Sequence, residues 1–207
     1  MGYKIFLYIP NIIGYIRLLF LVISWTAYRH PLVFLLFYCT SVSLDALDGI
    51  LARKFQQTSA FGAWLDVVVD ILGRSMLWCQ LYPGFGHLIA SLEWLTFVCT
   101  HQLGAKWKQN FINEPVFVKH VMTNHFRSWL GAFVISGIHV LPIWLYAHYS
   151  QILGTYLWLP STVQYLVIGF LASGRALAMV VEMWCIWSHI QYLVSDEANR
   201  SNHATSS

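Results

Sequence analysis

The sequence predicts an all-α protein whose helices cross a membrane six times. Of its 207 residues, 57% are hydrophobic and only 10% are charged, whereas soluble domains are about a quarter charged. A chain with so few charged residues cannot cover its surface with polar groups, so lipid must form part of its solvent. Aromatic residues make up 16% of the chain, which suits the belts that they form at membrane interfaces.

Six apolar stretches are each long enough for a membrane-spanning helix, which needs about 20 such residues. In chain order they cover residues 5–27, 31–52, 62–83, 86–104, 128–148 and 159–189. Polar or helix-breaking residues such as Lys54, Pro83 and Pro160 interrupt the apolar pattern between them. The last stretch is long, so we expect its end to leave the membrane. We therefore predict a membrane domain at 1–190 and a polar cytoplasmic tail at 191–207.

The basic residues of the loops predict the orientation, because cytoplasmic loops carry an excess of Lys and Arg. One side of the membrane receives only Arg29. The other side receives most of the remaining basic residues, namely Lys4, Arg53, Lys54, Lys106, Lys108, Lys119, Arg127 and Arg200. We expect that second side, and with it both termini, to be cytoplasmic.

Two classes of function are disfavoured by composition. The net charge of +3 is small and spread along the chain, so no nucleic-acid partner is expected. The four Cys all lie in apolar stretches without CxxC spacing, which argues against a disulfide framework or a zinc site.

Aspartates are concentrated at the ends of the second and third predicted spans. Asp45 and Asp48 are three residues apart, and Asp66 and Asp70 are four apart, so each pair lies on one helix face. The short connection at 54–61 makes the two helices antiparallel neighbours, which brings both pairs to one cleft near the cytoplasmic surface. Carboxylates are costly in a membrane helix and are therefore candidates for function.

Divalent cations would relieve the repulsion among four carboxylates. Hard oxygen ligands, with no Cys or His nearby, favour two Mg²⁺ or Mn²⁺ ions. The alternative is a structural role in which the acids pair with basic residues and hold helices together. Arg53 and Lys54 are too few to balance four acids, and unpaired buried charge is costly. The sequence therefore favours the metal site.

Small residues beside the aspartates predict a ligand pocket. Gly49 and Ala52 share a helix face with the first aspartate pair, and Gly62 precedes Asp66 by one turn. A missing side chain lets a bulky ligand approach the backbone. Arg53 adds a planar cationic fork that suits a phosphate, so together these residues predict a pyrophosphate site.

The segment from Asp45 to Asp70 has the pattern D-x2-D-G-x2-A-R-x8-G-x3-D-x3-D. This pattern resembles the signature of the CDP-alcohol phosphatidyltransferases, and the resemblance covers most of the chain. It implies the CDP-alcohol phosphotransferase fold and transfer of a phosphatidyl group from CDP-diacylglycerol to an alcohol, with release of CMP. The stretches 8–17 and 44–54 are most similar to eukaryotic members whose acceptor is myo-inositol.

The resemblance also implies the roles of single residues. The positions that match metal ligands are Asp45, Asp48, Asp66 and Asp70. Of these, Asp70 also matches the general base that takes the proton of the attacking alcohol. The positions that match contacts to the CDP-lipid are Gly49, Arg53 and Ser59. Asn11 and Arg17 lie in a further matching motif without an assigned role.

Some positions depart from the inositol-transferring pattern. Those relatives have Arg directly after the fourth aspartate, where this chain has Ile71, with Arg74 one turn later. The stretches 98–102 and 123–127 differ as well. The acceptor therefore stays open between myo-inositol and another small alcohol such as glycerol phosphate, and a catalytically silent membrane paralogue is a further alternative. A transporter is disfavoured because no internal repeat or broken helix pair is visible.

Arg175 lies in the middle of the last predicted span, where an Arg is expensive and usually lines a polar cavity. It is a candidate for binding acceptor or phosphate, and the alternative is a structural pair with Glu182. Finally, the resemblance implies residence in the endoplasmic reticulum and is compatible with a homodimer, while the distribution of basic residues predicts an active site that faces the cytoplasm.

Overall fold

A computed structural model describes residues 2–101, 115–122 and 128–205, and within these residues every regular element is a helix. A short 3-10 helix at Gly2–Leu7 comes first. The α-helices that follow in the described part of the chain are α1 (Ile9–Thr26), α2 (Pro31–Lys54), α3 (Ala60–Leu81), α4 (Gly86–His101), α5 (Val116–Met122), α6 (Trp129–Tyr149), α7 (Ile152–Thr155) and α8 (Ser161–Thr205). The predicted all-α class is confirmed.

Local chemistry sets the ends of the helices. Pro10 and Pro31 lie in the first turns of α1 and α2, where the missing N–H of proline removes no helical hydrogen bond. Helix α2 ends where Gln56 adopts a left-handed conformation with φ of 55°, a common way for a helix to stop. Ser59 then caps α3, because its hydroxyl oxygen accepts a hydrogen bond from the Gly62 amide at 2.9 Å.

Four of the described helices are long and apolar enough to cross a membrane, which supports an integral membrane protein. They are α1, α2, α6 and the Ser161–Glu197 part of α8. Helix α3 has 22 residues but carries Asp66, Asp70 and Arg74, and α4 is described over only 16 residues. The count of six spans is therefore not confirmed and stays a prediction.

The chain divides into two compact units, of which the first comprises Met1–Gly86 and Pro142–Gln164. Its core contains a cluster of aromatic rings in which Phe34 contacts Tyr28, Tyr38 and Tyr146. The Tyr146 hydroxyl donates a hydrogen bond of 2.5 Å to the carbonyl of Tyr28. This bond satisfies a polar group inside an apolar cluster, and it fixes the turn between α1 and α2.

The second unit comprises His87–Leu141 and Tyr165–Ser207. Gly137 of α6 packs so tightly against the backbone of Gly174 and Arg175 in α8 that a β-carbon there would overlap it. Small residues allow such close approach of membrane helices. A cluster of buried side chains extends the packing and consists of Val118, Val121, Val134, Ala178, Val181 and Cys185.

Candidate active site

The first unit brings the four predicted aspartates together. Asp45 and Asp48 lie in the second half of α2, and Asp66 and Asp70 lie in the first half of α3. The two helices are joined by only five residues, 55–59. Their short connection and the helical spacing of each pair turn all four carboxylates toward one point, as the sequence predicts.

At that point lies the guanidinium of Arg17 from α1, a side chain that is 1% exposed. Its Nη1 donates to Asp48 Oδ2 at 2.8 Å and to Asp66 Oδ1 at 2.6 Å. Its Nη2 donates to Asp70 Oδ1 at 2.6 Å and lies 2.7 Å from Asp45 Oδ1. One cation therefore contacts four carboxylates.

The balance of charge predicted from the sequence, with Arg53 and Lys54 as the cations, does not include Arg17, which is far from the aspartates along the chain. The signal that could have found it was available, because an Arg in the middle of an apolar span needs an acidic partner. Arg74 adds a second cation, with Nη1 at 3.6 Å from Asp70 Oδ2.

The acidic cluster still has the features of a metal site. Asp45, Asp48 and Asp66 each offer one carboxylate oxygen, and these oxygens lie within 4.8 Å of one another. The inaccessible Oδ1 of Asp45 has no hydrogen-bond partner, although the Arg17 nitrogen is near. Carboxylate oxygens that lie this close together are the kind of donor set that Mg²⁺ or Mn²⁺ takes. The residues present therefore fit a divalent cation.

Exposure of the carboxylates shows from which side an ion could reach them. The side chains of Asp66 and Asp45 are 44% and 38% exposed, that of Asp70 is 24% exposed, and Arg17 is buried. Asp45, Asp66 and Asp70 are therefore partly open to solvent while they contact Arg17, whereas the Asp48 side chain is only 11% exposed.

A cavity of about 170 Å³ adjoins the cluster. Its lining includes residues that the sequence singles out, namely Asn11, Asp48, Gly49, Ala52, Arg53, Ser59, Gly62 and Asp66. The space beside Gly49 is open, since the nearest atoms to a β-carbon there would be the Arg53 guanidinium nitrogens at 3.9 Å. Gly49 and the Arg53 guanidinium thus lie side by side in the lining of the cavity, as the sequence predicts.

Gly62 lines this cavity, and its missing side chain has a second consequence in the fold. A β-carbon on Gly62 would lie 2.6 Å from Oδ1 of Asn11 and 3.1 Å from Oγ of Ser59. Asn11 is buried, and its side-chain nitrogen donates to the carbonyl of Ile5 at 2.6 Å. The glycine is therefore required by a contact between α1 and α3.

The positions that depart from the inositol-transferring pattern lie partly in the described residues. Ile71 is buried, and Arg74 points to Asp70. Residues 123–127 and Gln102 lie outside the described residues. In the second unit, Arg175 Nη1 donates to Glu182 at 2.9 Å and Nη2 to Glu93 at 3.4 Å. The structure thus gives Arg175 the pairing that the sequence left as the alternative, together with a second acid.

Comparison with known proteins agrees with the geometry. Residues 7–192 match the CDP-alcohol phosphatidyltransferase family. The chain is 45% identical over 96 residues to CDP-diacylglycerol–inositol 3-phosphatidyltransferase of Candida albicans, covering 43% of this chain and 42% of that protein. It is 46% identical over 80 residues to the enzyme of that name from Saccharomyces cerevisiae, covering 37% and 36%.

A longer match, 32% identical over 134 residues, is to the enzyme of that name from Drosophila melanogaster and covers 58% of this chain and 60% of that one. Each of these matches spans less than two thirds of the relative's length. No solved structure matches the chain.

Proposed function

Because the chain belongs to the CDP-alcohol phosphatidyltransferase family, we propose that it transfers the phosphatidyl group of CDP-diacylglycerol to myo-inositol, giving phosphatidylinositol and CMP. The convergence of four carboxylates beside a cavity lined by Gly49, Arg53 and Ser59 carries the proposal. Similarity to three inositol 3-phosphatidyltransferases supports the acceptor.

Two Mg²⁺ or Mn²⁺ ions would be held by Asp45, Asp48, Asp66 and Asp70. When bound, such ions neutralise charge on a pyrophosphate and on the departing phosphate. Asp45, Asp48 and Asp66 are the set with the closest oxygens. Asp70 also contacts the Arg17 guanidinium but does not belong to that set. This position suits a residue that acts as a general base in addition to binding metal.

The nucleotide-lipid would lie in the cavity, with its pyrophosphate toward Asp48 and Asp66. The Arg53 guanidinium offers a planar pair of N–H donors to phosphate oxygens. The open space beside Gly49 lets the ligand reach the backbone of α2. Ser59 already accepts the capping bond from Gly62, so its hydroxyl hydrogen is the group left for a ligand oxygen.

Asp70 is proposed as the general base. The inositol hydroxyl oxygen attacks the phosphorus that carries the diacylglycerol, the bond from that phosphorus to the bridging oxygen breaks, and CMP leaves with the bond's electron pair. Asp70 takes the hydroxyl proton in the same step. Arg74, with its guanidinium at 3.6 Å from Asp70 Oδ2, keeps the carboxylate oriented.

The location and assembly of the enzyme complete the proposal. We place the site on the cytoplasmic side because Arg53 and Lys54 directly follow it at the end of α2, and basic residues favour that side. Residence in the endoplasmic reticulum and a homodimer are supported by resemblance to the family alone.

The test follows CMP release by the purified protein in detergent, with CDP-diacylglycerol and Mn²⁺ or Mg²⁺. We expect release that depends on myo-inositol and is lost in Asp70→Asn. The matched control is Asp196→Asn, the same substitution at the fifth aspartate, which should keep the activity. Asp196 lies near the end of α8.

Other results would change the proposal in defined ways. Release with glycerol phosphate but not with myo-inositol would keep the chemistry and overturn the acceptor. No release with any alcohol, while the protein remains folded, would favour a silent paralogue. Equal loss in both aspartate variants would remove Asp70 from the role of base.

A further inference from the structure

We propose that Arg17 is the built-in counter-cation of the four-aspartate cluster: it holds the carboxylates together before metal binds, and it competes with bound metal for their oxygens. The inference rests on the proposed function, since it concerns the same carboxylates. It assigns Arg17 as a positioning residue that acts through the aspartates.

Arg17 joins the two helices that carry the cluster. Its Nη1 contacts Asp48 of α2 and Asp66 of α3, and its Nη2 contacts Asp45 of α2 and Asp70 of α3. Each terminal nitrogen therefore links one carboxylate from each helix. A guanidinium with its rigid fork of donors can do this, whereas an ammonium on a single nitrogen cannot span both pairs.

The position of Arg17 is fixed by its own backbone as well as by the aspartates. Its carbonyl accepts a hydrogen bond from Ser41 Oγ of α2 at 3.0 Å. The side chain is 1% exposed, and its Nε has no hydrogen-bond partner. The guanidinium thus stays in a buried place with one donor unsatisfied, which indicates that attraction to the aspartates decides where it lies.

The carboxylates are not fully satisfied by this one cation. Asp45 Oδ1 lies 2.7 Å from Nη2 but does not form a hydrogen bond with it. Among the residues that the structure describes, Arg17 and Arg74 form ion pairs with the cluster, and two guanidinium charges do not neutralise four carboxylates. Negative charge therefore remains to attract a divalent ion. Arg17 neutralises the cluster only in part, so a metal can still bind.

Competition follows from distance and charge. Mg²⁺ binds oxygen ligands at roughly 2.0–2.1 Å, and three of the oxygens that Arg17 touches belong to the aspartates of the closest set. An ion there would stand beside a guanidinium of like charge, and repulsion between such neighbours is strong where water is scarce. Metal binding must therefore lengthen or break some of the Arg17 contacts.

This competition has a consequence for stability. The metal-free protein depends on Arg17 to neutralise the cluster, while in the metal-bound protein the ions do so. Replacing Arg17 by a residue that contacts fewer of the carboxylates should therefore lower the stability of the metal-free protein more than that of the metal-bound protein. By linkage, the same variant should gain more stability from metal than the wild type does.

The experiment compares full-length Arg17→Lys and Arg17→Gln with the wild type in detergent. The midpoint of thermal unfolding is measured in EDTA and in Mn²⁺, and Mn²⁺ affinity is measured from the EPR signal of the free ion. In EDTA we expect both variants to unfold several degrees below the wild type. In Mn²⁺ the deficit should shrink, and the Mn²⁺ dissociation constant of Arg17→Lys should fall by about threefold or more.

The matched control is Arg175→Lys, the same change at a buried Arg that pairs with two glutamates. Its loss of stability should be equal in EDTA and in Mn²⁺. Should Arg17→Gln fail to fold in EDTA, Arg17→Lys decides, because it keeps one positive charge.

Three results would overturn the inference. A deficit of Arg17→Lys that is equal in EDTA and Mn²⁺ would make Arg17 a structural residue only. Weaker Mn²⁺ binding in that variant would mean that Arg17 supports the ions and does not compete with them. If Mn²⁺ neither binds nor stabilises the wild type, the metal site of the proposed function fails and the inference fails with it.

Discussion

Oδ1 of Asn11 lies where a side chain on Gly62 would begin, 2.6 Å from the β-carbon position. Asn11 cannot easily retreat, because its side-chain nitrogen holds the carbonyl of Ile5 at 2.6 Å and the side chain is buried. The first turn of α1 therefore packs on the first turn of α3, one turn before Asp66. Gly62, one of the signature positions, thus allows α1 and α3 to pack closely, and both helices supply residues to the site.

Gly62→Ala should therefore destabilise the protein. Overpacking of this kind costs about 1–3 kcal/mol, which we expect as a lower midpoint of thermal unfolding, together with reduced CMP release because Asp66 moves. The control is Gly169→Ala in α8, where a β-carbon would meet nothing within 4 Å. Adding Asn11→Ala to Gly62→Ala should recover part of the loss, since the two positions are in contact. Equal midpoints for Gly62→Ala and Gly169→Ala would contradict the steric account.

Removal of metal should abolish CMP release, and Mn²⁺ or Mg²⁺ should restore it. In Asp45→Asn, the metal concentration for half-maximal rate should rise by at least about tenfold, since even indirect disturbance of ligands costs that much. Asp45 is chosen because it belongs to the set of aspartates with the closest carboxylate oxygens. The measurement is a metal titration of activity, with Asp196→Asn as control. An unchanged titration curve would exclude Asp45 as a ligand.

Arg53→Gln should raise KM for CDP-diacylglycerol by roughly 10–100-fold, the equivalent of about 1.5–3 kcal/mol for a hydrogen bond to a charged group. Arg53→Lys should recover only part of this, because an ammonium loses the planar fork. The neighbouring Lys54→Gln removes the same charge outside the cavity lining and should leave KM nearly unchanged. If both glutamine variants raise KM equally, the increase comes from the loss of surface charge in general and not from a specific contact between Arg53 and the phosphate.

Arg175→Met should destabilise the protein by about 3–5 kcal/mol, because breaking a buried ion pair leaves uncompensated charge. Here two glutamates, Glu93 and Glu182, would lose a partner. The unfolding midpoint should fall, and Glu182→Gln added to Arg175→Met should restore part of it. KM for the acceptor should not change in Arg175→Lys. A rise in that KM without loss of stability would return Arg175 to the role of acceptor binding.

The ends of α1, α2 and α3 were predicted to within two residues because they depend on local chemistry, whereas the last predicted span, 159–189, continues as α8 to Thr205. Predicted spans at 5–27, 31–52 and 62–83 correspond to α1, α2 and α3, which end at Thr26, Lys54 and Leu81. Apolar runs, helix-starting prolines and a capping serine act within a few residues of the chain, so the sequence shows them directly. The span count was harder, because Asp66, Asp70 and Arg74 remove α3 from the set of plainly apolar helices.

What the sequence by itself determined is the convergence of the four aspartates: their helical spacing on two helices with a short connection allows little else. Only the tertiary structure decided what the carboxylates meet. Arg17 and Asn11 lie on α1, and no local pattern states the depth and rotation at which α1 packs on α2 and α3. Those depend on side-chain packing between helices, such as Gly14 against Leu65 and Ser41 against the Arg17 carbonyl. Residues distant in sequence therefore became the counter-cation of the cluster and the reason for Gly62.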